Sequence, residues 1–257
     1  MDGPRDGGAA RDARTWDNAC MTEHPAAAVP VLRFLDERAV RDLEQLATRA
    51  RRVSDTGMRL HVVPEAGRSR TPMLAQWVSV LQPAGLGDEV PVVLGLRTVP
   101  LATAEGVADL DAVVALGSVT ERTARMRGRG PADLDFSVPP GREQVTWTAL
   151  TPPRSGWKPA AEVADEELVE VATRGVEAVR EALPENPGEA IVRTVRAQMW
   201  GPLLGGDALG FPAGMAFGAH ALGFLRPGGR ARLSTAGPWT RLDTPGGFVL
   251  GRPAMAV

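Results

Sequence analysis

Apolar residues recur with a helical period at Val40, Leu43, Leu46/Ala47, Ala50 and Val53, so a helix is predicted from Asp36 onward. Asp36 suits the N-cap, and Leu35 and Val40 occupy the two positions of a hydrophobic staple. After a turn at Asp55-Thr56-Gly57 the period falls to two. Met58, Leu60 and Val62 alternate with Arg59, His61 and Val63, as in a half-buried strand. Further strands are predicted over 74–81, 90–99, 113–116 and 145–149. The second of these is β-branched and nearly continuous, which places it centrally in a sheet. Ser118-Val119-Thr120-Glu121 carries a capping-box signature for a short helix ending near Met126. Residues 25–150 therefore read as an α+β domain, one long helix packed on a mostly antiparallel sheet.

Pro152-Pro153-Arg154-Ser155-Gly156-Trp157-Lys158-Pro159 forbids helix and disfavours ladder pairing, so residues 151–160 read as a proline-rich linker. Beyond it the pattern changes. Leu168, Val171/Ala172, Val176, Val179 and Leu183 share one face of an amphipathic helix over 162–183. Asn186-Pro187-Gly188-Glu189 opens a second helix, with Ile191, Val192, Val195 and Met199 inward, and 211–225 reads as a third. Strands are predicted over 232–234, 239–242 and 248–251. Between the last two, Pro245 and Gly246 fit the central positions of a type II turn. Three helices followed by a hairpin is the order of a winged-helix module. The expected fold class is thus α+β: a helix packed on a mostly antiparallel sheet over 25–150, then a three-helix, winged-helix-like module over 161–257 ending in a β-hairpin.

The PPRSGW linker, the VRAQMWGP segment, the PAGMAFGAHALGFL helix and the GPWTRLDTPGGFVLGR ending resemble uncharacterised conserved hypothetical proteins of high-GC actinobacteria. The resemblance covers about the last 110 residues well. It implies a bacterial, cytoplasmic setting and no particular activity.

Composition narrows the chemistry. The chain has three histidines, one cysteine and no tyrosine, so the residues that carry most nucleophilic, acid–base and metal chemistry are scarce. Cys20 has no partner for an internal disulfide, as befits a reducing compartment. Residues 1–20 are almost without apolar content, and 1–24 are expected to be a disordered extension, with Met21 the natural start. No apolar run reaches spanning length, so a soluble, cytoplasmic protein is expected. Net charge is −2, which gives no global bias toward nucleic acid. No Walker A or G-x-G-x-x-G pattern occurs, the histidines have no ligand spacing, and no cofactor or metal is expected.

What remains points to interaction. A proline-stiffened loop carrying Arg154, Trp157 and Lys158 could dock a partner or an anionic group, or Trp157 could simply pin the linker. Arg232, Trp239 and Arg241 add cations and an aromatic on the hairpin. The leading expectation is a non-catalytic protein acting through protein partners. The alternative is a DNA-binding regulator using the winged-helix-like module, although the helix over 211–225 has no Arg, Lys, Asn or Gln to read base edges. A second alternative is an enzyme in which the fold gathers two of Asp109, Asp111, Asp133, Asp135 and Glu143.

Overall fold

The computed structural model describes residues 29–66, 70–85, 87–141, 144–205 and 210–254. The expected extension over 1–24, with Cys20 and Met21, lies outside them, as does Glu143. The chain opens with a short strand, β1 (Val31–Arg33), and then α1 (Glu37–Val53). Asp36 caps α1 as its position suggests, its carboxylate accepting the Ala39 amide at 2.9 Å. Three strands follow, β2 (Met58–Ala66), β3 (Thr71–Leu81) and β4 (Val92–Pro100), and then β5 (Asp111–Val114). The next helix, α2 (Leu116–Arg129), starts directly off β5. Ser118 and Glu121 therefore sit inside the helix, and Ala115 caps it with no side-chain bond.

After β6 (Asp135–Ser137), which pairs with β1, comes a single 3₁₀ turn at Thr146–Ala149 where a strand was expected. Trp147 explains the difference. Its ring is 2 % exposed, and its indole N–H donates to the Thr56 carbonyl at 3.1 Å. An indole needs such a partner when it is buried, and the tight turn drops it into place. The remaining elements are β7 (Lys158–Ala164), α3 (Asp165–Ala182), α4 (Glu189–Trp200), β8 (Leu203–Leu204), β9 (Phe211–Pro212), α5 (Gly214–Ala221), β10 (Arg230–Ala236), β11 (Trp239–Thr244) and β12 (Gly247–Arg252). The short pair β8–β9 precedes α5. Part of the expected linker is thus a strand. β7 lies at the sheet edge, and Pro159 stands opposite Ser234 where the β7–β10 register shifts, an edge irregularity that tolerates proline.

Eight strands form one antiparallel sheet in the order β5-β2-β3-β4-β12-β11-β10-β7. The fold class is therefore α+β with a large antiparallel sheet. The predicted hairpin exists, but it does not stand apart as a wing. β12 pairs with β4 through Val93↔Gly251, Leu94↔Leu250 and Gly95↔Val249, so strands from both halves share one sheet.

Helices cover one face of that sheet. Arg97 on β4 holds Asp42 on α1 at 2.7 Å. The backbone of α5 comes close to β4 and β12 because small residues face each other there. A Cβ on Gly95 would meet Leu222 at 2.2 Å, and one on Gly251 would meet Met215 Sδ at 2.3 Å. The helix expected over 211–225 is consequently shorter, and Met215, Ala216 and Ala219 on it are fully buried. The Pro245-Gly246 corner also differs from a type II turn, since Gly246 is not among the positive-φ glycines. Glycine is required there for room: a Cβ would stand 2.6 Å from the Phe224 Cα.

Candidate functional site

Because side chains alternate along a strand, the face turned away from the helices carries its own set of residues. Strand register arranges them in transverse rows. One row runs Asp111–His61–Ala75–Thr98 across β5, β2, β3 and β4. The next runs Arg59–Trp77–Leu96–Phe248–Asp243 and continues through Arg232 on β10 to Glu162 on β7. A third runs Leu94–Leu250–Arg241–Ser234. In the first row Ala75 stands between two larger neighbours and leaves a depression.

The loop that follows Trp147 passes over this depression. Thr151, Pro152, Pro153, Arg154 and Trp157 roof it, and the space between loop and sheet is a cavity of about 290 Å³. Its floor and walls include Ala75, Trp77, Leu96, Phe248 and Leu250, and its polar groups come from Arg59, His61, Thr98, Arg154 and Arg241. Trp157 is fixed at both ends. Its indole N–H donates to the Pro153 carbonyl at 3.0 Å, and the Arg241 guanidinium lies 4.7 Å from its ring centre. Arg241 also faces the Phe248 ring at 5.6 Å. A second, wider hollow of about 540 Å³ lies on the other side of Trp157 and is lined by Arg232, Arg241, Glu162 and Asp243.

The sequence-predicted residues fall into three groups. Arg154, Trp157 and Arg241 converge on the roofed cavity, and Arg232 joins Trp157 and Arg241 at the second hollow. Lys158 sits on the edge strand opposite Thr235, exposed, beside the same hollow. Trp239 is 5 % exposed and packs with Trp147, Val92, Leu94 and Leu250, so it supports the site from within. Sequence reasoning missed Arg59, His61, Trp77 and Thr98 as neighbours of the linker. The alternation on β2 was the available signal, since it puts Arg59 and His61 on one face.

The acidic groups on this face are already engaged. Arg59 grips Asp111 with two bonds of 2.6 Å, and Arg241 grips Asp243 at 2.5 and 2.8 Å. Hydrogen bonding to Arg59 holds the Asp111 carboxyl below its ordinary value, and the same bond raises Arg59. His61 Nδ1 lies 3.5 Å from Asp111, buried and without a hydrogen bond. Burial pushes the His61 imidazole below its usual 6.5, more strongly than Asp111 pulls it up, and the charges of Arg59 and Arg154 add to the lowering. The side chains of Arg154, Lys158 and Arg232 make no hydrogen bond or ion pair among the described residues.

The other carboxylates that could have gathered do not. Asp135 pairs with Arg33 and Asp133 with Arg129, while Asp109 lines a separate surface hollow. His220 is exposed on α5. No group of three or more His, Cys, Asp or Glu among the described residues could hold a metal ion, and no helix among them is long and apolar enough to cross a membrane.

Two family models match the chain. A domain of unknown function, DUF8010, matches residues 27–143, and a second, DUF8185, matches residues 152–256. No curated protein matches. Among solved structures the chain is similar to the DNA polymerase sliding clamp of Caulobacter crescentus, with a TM-score of 0.45 and 13 % identity over 94 % of this chain and 69 % of that one. It is also similar to pol III beta of that organism (0.47, 14 %, 90 % and 70 %). The sliding clamp of Pseudomonas aeruginosa gives 0.46 and 14 %, over 88 % and 65 %. Nothing about activity passes from these proteins to this chain.

Two outcomes are expected from the geometry. Trp147→Ala should cost about 3–5 kcal/mol in chemical denaturation, as a fully buried aromatic does, whereas Trp157→Ala, half-exposed, should cost about 1–2 kcal/mol. The pH response follows from His61. Its folded value is depressed, so the unfolded chain takes up the proton first as pH falls. The stability carried by neutral His61 is complete above the ordinary value of 6.5 and is lost as pH drops through the folded value. Urea midpoints should decline from pH 7.5 to 5.5, and His61→Gln should flatten that decline.

Proposed function

We propose that this chain is a non-catalytic interaction protein, and that an acidic protein partner docks on the sheet face around the 151–157 loop. The observation that carries this is a charge imbalance. The acids nearest the roofed cavity, Asp111 and Asp243, are each clasped by an arginine of the same face. Glu162 beside the second hollow pairs with Arg230. Arg154, Lys158 and Arg232 stay unpaired around Trp157 and two hollows. An aromatic anchor, rigid prolines and free cations suit a partner that supplies carboxylates.

The competing readings find less support. A DNA-reading helix must reach the major groove, and α5 is buried beneath the sheet, which leaves only scattered arginines for phosphates. A carboxylate-based enzyme needs a free pair of acids, and among the described residues of the expected set only Asp111 lies beside the roofed cavity, clasped by Arg59. His61 has that acid as a neighbour but makes no hydrogen bond to a hydroxyl. The bacterial cytoplasm implied by the C-terminal resemblance is the setting proposed for the interaction.

The test compares the wild-type chain with the triple variant Arg154→Glu/Lys158→Glu/Arg232→Glu as bait in extract of the native host. A partner bound by the wild type should be lost to the variant. It should also dissociate as salt rises from roughly 0.1 to roughly 1 M, where the Debye length shrinks from about 10 to about 3 Å. Equal retention by both baits, or complexes indifferent to salt, would contradict the reading.

A further inference from the structure

The structure assigns to the roofed cavity a ligand of one chemical class: a flat apolar body bearing a single carboxylate. The cavity lining alone carries this assignment, independently of any protein partner.

Shape comes first. At about 290 Å³ the cavity lies near the lower end of small-molecule sites. It is a slot bounded below by a sheet and above by two consecutive prolines, and it is flanked by the planar rings of Trp77, Trp157 and Phe248. Ala75, paired with both His61 and Thr98, provides the depth. Aromatic and proline walls of this kind favour a planar apolar body, because offset and edge contacts are available on several sides. The roof is already in place and its prolines have little backbone freedom to lose on binding.

Charge then limits what the body can carry. A cationic ligand would meet Arg59, Arg154 and Arg241 together. The first and last of these are neutralised by Asp111 and Asp243, so Arg154 is the one cation at the rim without a hydrogen bond or ion pair among the described residues. One free guanidinium balances one negative charge, and its planar fork fits a carboxylate with two bonds. A second negative charge would face Arg59 and Arg241, whose charges Asp111 and Asp243 already balance. His61, held neutral by burial, adds no competing charge near neutral pH.

Calorimetry on the full chain tests this with 2-naphthoate and with 2-naphthamide, which has the same ring system and no charge. The acid should bind at least about tenfold more tightly than the amide. Arg154→Ala, an exposed loop change, should erase that preference while leaving the amide unaffected. Ala75→Val should weaken both by filling the floor. A parallel arm uses a Gly-Gly-Trp peptide with a free or an amidated C-terminus. A preference for the free acid confined to naphthoate identifies a free small molecule as the source. One confined to the peptide identifies a chain end. Equal affinity for acid and amide, a preference that survives Arg154→Ala, or no binding by either acid would overturn the inference.

Discussion

The pairing of β4 with β12 is the constraint on which the rest of the structure depends. These strands are separated by about 150 residues, and their register decides everything that lies across them. Leu94 and Leu250 meet on one face, and Val249 lies against Gly95 on the other. Had the two halves kept separate sheets, Arg241 and Phe248 would be far from His61 and Trp77. With the ladder closed, side chains from β2, β3, β4, β11 and β12 form one continuous floor. Small residues make the closure compatible with a helical layer, since Gly95 and Gly251 let α5 lie directly over the junction.

A sheet of this kind has two faces with different duties. Met58, Leu60, Val62 and Val249 point to the helices and form the main core. Trp147, Trp239, Val92, Leu94 and Leu250 form a second, smaller cluster on the opposite face, under the loop that crosses it. That cluster lets the 151–157 loop stand over the sheet instead of collapsing onto it. Trp147 fixes one end of the loop, and β7 fixes the other. Between them the prolines hold a roof, and Arg241 braces Trp157 from below by a cation–π contact. Binding groups are thereby held by rigid elements, the condition under which a cavity keeps its shape without a ligand.

Local structure was largely legible in the sequence, because local signals report on local physics. Asp36 announced the start of α1, and alternation along β2 separated Leu60 from His61 correctly. The misreadings share one cause, which is tertiary context. The 145–149 run alternates like a strand, yet burial of the Trp147 ring makes it a 3₁₀ turn. Pro159 reads as a breaker, yet an edge strand tolerates it. Gly246 reads as the left-handed residue of a turn, yet proximity to Phe224 is what requires glycine there. Arg154, Trp157 and Arg241 could be singled out as unusual from their neighbours in sequence. Their convergence with Arg59 and His61 could not, because hydrophobic periodicity fixes which face a residue occupies and says nothing about which strand lies alongside.

Native-state amide exchange at the junction tests this account most directly. If β4 and β12 make a single sheet, the amides of their ladder, from Val93 to Leu96 and from Phe248 to Gly251, should open only in global unfolding. They should then share one free energy with the buried residues of β3. Two distinct exchange energies, with the β10–β12 strands opening independently of β2–β4, would mean that the halves are separate units and that no common floor exists beneath the loop.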